Sequence, residues 1–320
     1  MSGRGRKVLL DCLIGIVSVV CLAGFSVVGY RVWCWWRDRE SVSETVEIRK
    51  EIESEIVGDT PESYITSMNG TESSEKKSED VSVSENNISD LSESAVARSR
   101  ELLDRLREKY DNKDVVGYLV VDGSSIEYPI MQGETNDSYL KTNPYGNYEY
   151  NGSIFMDSDN IPDFLDSRTV VYGHNMINRS MFGGLRGMFE DSVEDRYFTV
   201  YSELGILRYK VLASSLVYAY GENYCLYPAR EAMKEFESEG YTEEEIKRNR
   251  LEESEMSDFY KTLKENCLQW SDDTKHDENS KILTLMTCYA DGKSYRFAVA
   301  GVLQLPKGVL LSRGQVKEEE

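Results

Sequence analysis

Cys288 ends the run Thr284-Leu285-Met286-Thr287-Cys288, an apolar, strand-forming stretch, and Arg296 follows eight residues later. Between them lies the polar turn Asp291-Gly292-Lys293-Ser294, so a hairpin here returns Arg296 to the side of Cys288. A guanidinium beside a thiol favours the thiolate, the nucleophilic form. It can also hold the oxyanion that appears when a thiolate adds to a carbonyl. A second fragment, Val170-Val171-Tyr172-Gly173-His174-Asn175-Met176, ends a strand in Gly-His and leaves an imidazole at a strand edge. Histidine is the usual general acid and base near neutral pH. The other histidine, His276, lies in the polar run 271–280, so a working histidine is His174. Each fragment alone also has a plainer reading. A strand-end cysteine is more often a buried free thiol, and a strand-edge histidine a satisfied surface or core residue.

The elements that would position these groups are mostly strands. Ala95, Leu102, Leu103 and Leu106 recur at helical spacing, which predicts a helix over 92–110. After Asn112 the pattern becomes short apolar runs separated by turn residues. Residues 115–121 and 126–130 flank Asp122-Gly123, a hairpin signal. Further strands are expected at 153–156, 169–172, 197–201, 206–218, 282–287 and 295–305. About eight short strands in so few residues suggest a barrel or a sandwich, and so a mainly β (α+β) fold. A highly charged insertion, 228–280, interrupts the pattern, with helical stretches expected at 229–239, 243–253 and 255–270.

The 320-residue chain carries a formal net charge of -20, which argues against a nucleic-acid partner. Residues 38–92 hold 15 Asp/Glu against 5 Lys/Arg, so the acidity is concentrated there. That segment is rich in Ser, Glu and Asn, and it reads as a disordered spacer from 37 to 92. Some helix is compatible with Val46, Ile48, Ile52 and Ile56. Arg4, Arg6 and Lys7 precede a charge-free run from Cys12 to Tyr30, and Trp33, Trp35 and Trp36 follow it. Nineteen helical residues span about 28 Å, close to the hydrocarbon thickness of a bilayer. With no small-x-small cleavage site after it, the run reads as a membrane anchor with an aromatic belt, residues 1–36, and not as a signal peptide. Arg31, Arg37 and Arg39 balance the N-terminal cations, so charge alone does not set the orientation. Six cysteines include no Cys-x-x-Cys pair, and the two histidines stand far apart, so neither a metal site nor another cofactor is expected. The catalytic domain is expected over 93–311 and a loose tail over 312–320.

Taken together, Tyr-Gly-His-Asn-Met, Thr-Leu-x-Thr-Cys and an Arg eight residues after the Cys resemble the sortases. Several motifs are similar to class B of that family: Asp114-Val115-Val116-Gly117-Tyr118, Ile126-Glu127-Tyr128-Pro129-Ile130 and Asn136-Asp137-Ser138-Tyr139-Leu140. Gly152-Ser153-Ile154-Phe155-Met156-Asp157, Met181-Phe182-Gly183-Gly184-Leu185 and the helical insertion before the cysteine strand belong with them. The resemblance covers roughly residues 95–305. It implies an eight-stranded sortase-type β-barrel with an N-terminal helix, held outside the cell membrane of a Gram-positive-type bacterium with the N-terminus cytoplasmic. It implies a transpeptidase in which Cys288 attacks an Asn-Pro-x-Thr-like sorting signal of a surface protein to form a thioester. His174 would move the protons, Arg296 would steady the oxyanion, and a cell-wall peptide amine would take the acyl group. By motif position, Asn136 and Leu140 would line the substrate groove and Tyr224 its far wall. Met286 departs from the pattern, since class B members usually carry Ser there; the lost hydroxyl would alter substrate contacts or weaken activity. Two other readings stand beside it: a cysteine endopeptidase ending in hydrolysis, which would use the same residues, and, motivated by Met286, a weakly active surface-binding or assembly ectodomain. Cys225 and Cys267 are expected as two free thiols.

Overall fold

The computed structural model describes residues 29, 32, 42–54, 88–218, 253–288 and 295–306. The chain divides into two units, Met1–Glu47 and Ile48–Glu320. In the first, residues 29, 32 and 42–47 are described, and all are helical. Among the described residues no helix is long and apolar enough to cross a membrane, and the charge-free run 12–30 lies almost wholly outside them.

The second unit is built on strands β1 (Val115–Val121), β2 (Glu127–Met131), β3 (Ile154–Met156), β4 (Arg168–Gly173) and β5 (Tyr197–Ser202). It continues with β6 (Gly205–Tyr218), β7 (Cys267–Trp270), β8 (Ile282–Cys288) and β9 (Tyr295–Leu303). Helices are α1 (residues 48–54), α2 (Glu93–Tyr110), α3 (Leu185–Phe189) and α4 (Glu253–Asn266). The strand order β5-β1-β2-β3-β4-β8-β9-β6 closes through a β5–β6 pairing, giving a mixed barrel of eight strands. Closure removes most of the barrel's edge; β6 runs on past its last pair with β5 at Lys210, and β7 pairs with Ala213–Ser215 there. Two of its pairings are parallel, β2 with β3 and β4 with β8. The expected eight-stranded β-barrel, with a helix before it and a helix preceding the cysteine strand, is what the chain forms.

Local chemistry accounts for the ordering. Ser92 caps α2 by accepting the Ala95 N–H, and Asp111 ends it in the left-handed region at φ 49°. The β1–β2 turn uses Gly123 at φ 71°, which a side chain would strain. Strand β8 is buried on both faces from Ile282 to Thr287, which explains why it is mostly apolar and uncharged and shows no polar-apolar alternation. One cluster packs Met256, Phe259 and Leu263 of α4 against Ile282, Met286, Ala298 and Val302. A second packs Leu102, Leu103, Leu106 and Tyr110 of α2 against Val115, Tyr118 and Tyr201.

Two sequence expectations need correction. Residues 48–54 are not solvated spacer. Ile52 is only 4% exposed and joins the α2 cluster, and Arg49 donates to Glu127 at 2.9 and 3.2 Å. Tyr201 also bonds to Glu53. Burial opposes the Arg49 charge, but Glu53, Tyr201 and Glu127 outweigh it and hold the guanidinium firmly protonated. The acidic composition concealed this because a single apolar face suffices to dock a short helix. The second correction concerns 255–270, where the helix stops at Asn266. Cys267–Trp270 becomes a strand paired to Ala213, Ser214 and Ser215 of β6, so tertiary pairing overrides helical periodicity. The stretches 229–239 and 243–252 lie outside the described residues.

The docking of α1 has a measurable consequence. Ile52→Ala should lower the unfolding free energy by about 2–5 kcal/mol. Lys50→Ala, on the exposed side of the same helix, should change it by less than about 0.5 kcal/mol. Urea unfolding of the two variants checks this.

Candidate active site

Sheet register is what gathers the chemistry-bearing residues. β4 runs parallel to β8, pairing Tyr172 with Met286 and Gly173 with Thr287. One residue further along each strand stand His174 and Cys288. β9 returns antiparallel on the other edge of β8 and sets Arg296 opposite Cys288. The antiparallel pairing of these two strands inferred from the sequence is therefore present in the backbone register.

Beside this register lies a cavity of about 290 Å³, whose lining includes Asn136, Leu140, Tyr172, His174, Thr287 and Arg296. The sequence-derived His174, Arg296, Asn136 and Leu140 thus meet at one place. Tyr224 and Cys225 lie outside the described residues. Cys267 is a free thiol whose Sγ lies 3.2 Å from the Lys264 carbonyl, and burial pushes its pKa up.

Two glycines permit the placement of His174. A Cβ on Gly173 would sit 2.4 Å from Ile154 Cδ1 and 2.7 Å from the Phe182 ring, so the residue before the histidine has no room for a side chain. Gly152, at φ 58°, lies under the backbone of Leu140; a Cβ there would come within 2.4 Å of the Leu140 carbonyl oxygen. That oxygen is 2.9 Å from His174 Nε2. A carbonyl only accepts, so Nε2 carries the hydrogen of this bond, and Nδ1 is the nitrogen left to take or give a proton. Tyr150 stacks on the imidazole, with centroids 6.4 Å apart and planes 11° from parallel.

The loop bearing Asn136 and Leu140 is pinned from behind by Tyr139, which donates to Asp114 at 2.7 Å and accepts from Asn112 at 2.9 Å. Burial, reinforced by Asp114, pushes the Tyr139 phenol up to about 12. Asn136 is held at both ends of its amide. Nδ2 donates to Asp157 at 3.1 Å, and Oδ1 accepts the Ser158 N–H at 2.8 Å.

Sequence reasoning passed over Tyr172 and Phe155, which also line the cavity, their rings 5.3 Å apart. A signal for Tyr172 was present: strand alternation puts it on the face of the residue two positions on, His174. Met286 was read only as a missing hydroxyl. Its side chain is wholly buried and packs in the cluster that α4 lays against β8, so it is also part of the cavity wall's support. Among the described residues no cluster of potential metal ligands occurs.

No protein-family model matches the chain. The Sortase B of Listeria monocytogenes is 32% identical over 189 residues, 59% of this chain and 68% of that protein. The Sortase B of Staphylococcus aureus is 36% identical over 86 residues, 27% of this chain and 35% of that protein. Among solved structures, a mutant form of Clostridium perfringens sortase B superposes with a TM-score of 0.51 at 27% identity, covering 65% of this chain and 89% of that one.

The packing of Met286 yields a prediction that its reading as a lost hydroxyl does not. Met286→Ser should cost about 2–5 kcal/mol of stability, because it opens a cavity and buries a hydroxyl where a thioether packed. Thermal or urea unfolding of the variant checks the sign.

Proposed function

The chain belongs to the class B sortases and is a cysteine transpeptidase of that type; we propose that Cys288, His174 and Arg296 carry its chemistry. The observation that supports this most is the register that sets Cys288 opposite Arg296, with His174 one residue beyond the Gly173–Thr287 pair. In this reading the Cys288 thiolate adds to the Thr carbonyl of an Asn-Pro-x-Thr-like sorting signal. Arg296 faces the oxyanion. The C–N bond then breaks as His174 gives a proton from Nδ1 to the departing amine, while Nε2–H stays on the Leu140 carbonyl. The thioester remains on Cys288. An incoming amine of a cell-wall peptide attacks it, gives its proton to Nδ1, and the thiolate is released as the new amide forms.

Asn136 and Leu140 line the groove that takes the signal, and Tyr224 is assigned to its far wall by motif position. The substrates are surface proteins bearing the signal, and the acceptor is a peptidoglycan precursor or cross-bridge amine. We place the protein in the cell membrane by its charge-free run 12–30, with the N-terminus cytoplasmic and the catalytic domain outside.

Incubating the full chain with a peptide carrying the signal, with and without an amine-bearing acceptor peptide, tests the reading. Cleavage with the amine incorporated into product is expected. Cys288→Ala should abolish it. His174→Ala should slow it by about 10²–10⁴-fold, and Arg296→Ala by about 10²–10³-fold. Cleavage in which the amine never enters product would make the protein a hydrolase and contradict the transfer step.

A further inference from the structure

One buried ionisable group touches the candidate site and has no part in the chemistry above. Asp157 follows β3 directly and is 3% exposed. Its backbone is fixed on both sides. The N–H donates to the Val170 carbonyl at 2.9 Å, and its carbonyl accepts from Asn160 N at 3.0 Å and Gln132 Nε2 at 2.9 Å. Its carboxylate accepts three hydrogen bonds. Oδ2 takes the Tyr172 hydroxyl at 2.7 Å and Asn136 Nδ2 at 3.1 Å, and Oδ1 takes the Asp159 N–H at 2.9 Å. Two of those donors, Tyr172 and Asn136, line the cavity that holds His174 and Arg296.

From this geometry we infer that Asp157 is a positioning residue for sorting-signal binding, acting through Asn136 and Tyr172; the inference rests on the transpeptidase reading above. The physical reason is polarity. A carboxylate only accepts, so it fixes which end of the Asn136 amide faces it: Nδ2 toward Asp157 and Oδ1 toward the Ser158 N–H. An amide turned the other way would set its oxygen against the carboxylate and its NH₂ against a backbone donor. In the observed orientation Asn136 keeps one N–H and one oxygen lone pair for a peptide in the groove. The same carboxylate oxygen holds the Tyr172 hydroxyl and so fixes the ring beside it. Charge-assisted bonds of this kind, shielded from water, are stronger than neutral ones. Asp157 therefore orders one side of the groove without touching the reacting atoms.

The experiment uses the full chain carrying Asp157→Ala or Asp157→Asn, with the parent as reference. Asp157→Ala should raise the KM for the signal peptide by about tenfold or more, with kcat and the rate of Cys288 alkylation by iodoacetamide within about threefold of the parent. Asp157→Asn keeps the volume but lets the Asn136 amide turn, and should raise KM by about threefold or more. Should the alanine variant not fold, this second variant decides. On an Asn136→Ala, Tyr172→Phe background, adding Asp157→Asn should change KM by less than about twofold, because residues acting through one another are not additive. A KM within twofold of the parent in both Asp157 variants overturns the inference, as does a full, additive effect on the double-variant background.

A separate readout does not depend on turnover. With asparagine labelled by ¹⁵N, the Asn136 side-chain amide, identified by its loss in Asn136→Ala, should exchange slowly in the parent and fast in Asp157→Asn. An unmoved Asn136 signal overturns the inference even if the parent cleaves no signal peptide, which is the outcome that would instead count against the transpeptidase reading.

Discussion

The candidate active site depends on β8 being paired along both edges, parallel to β4 and antiparallel to β9. The two ladders share one strand, so a slip of one residue in either would move a partner to the other face of the sheet. With both in place, the ends of three strands deliver His174, Cys288 and Arg296 to a single point on the barrel. Two of these residues are separated by over a hundred positions in the chain. The register needs no contact between the three groups themselves. It is set by backbone hydrogen bonds and by apolar side chains several residues away.

Those apolar side chains are covered from outside. Helix α4 buries the face of β8 that carries Ile282 and Met286, and α2, joined by α1, covers β1 and its neighbours. The insertion before the cysteine strand thus contributes a structural element, at least through its last helix. Polar links then hold what the strands do not reach. Tyr139 ties the Asn136–Leu140 loop to Asp114, Asp157 ties Asn136 to Tyr172, and Gly152 lets the Leu140 carbonyl come up to the imidazole. The site is preorganised by its surroundings more than by its own members, as catalysis through fixed donors requires.

Much of this was legible in the sequence because the strands follow simple rules. Val115–Val121 and Glu127–Met131 carry a turn signal between them, and Ile282–Cys288 is mostly apolar and free of charge. The ordered motifs around His174 and Cys288 identified the family when neither residue alone would have done so. Other features were hidden for physical reasons. Residues 48–54 sit in an acidic, low-complexity context, and only Ile52 and its long-range partners reveal that they pack. Cys267–Trp270 looks helical by spacing and becomes a strand because β6 offers an edge. Met286 looks like a deletion of chemistry until α4 is seen resting on it. The Asp157 network joins residues 15 and 21 positions apart, separations that match no local periodicity.

The most direct test of the central claim is to trap the acyl-enzyme. The full chain is mixed with a signal peptide in the absence of amine, quenched in acid, digested and examined by mass spectrometry. A thioester carrying the N-terminal part of the peptide, located on Cys288 and lost in His174→Ala, is the predicted result. An adduct on another residue such as Cys267, or cleavage with Cys288 unmodified throughout, would contradict the account.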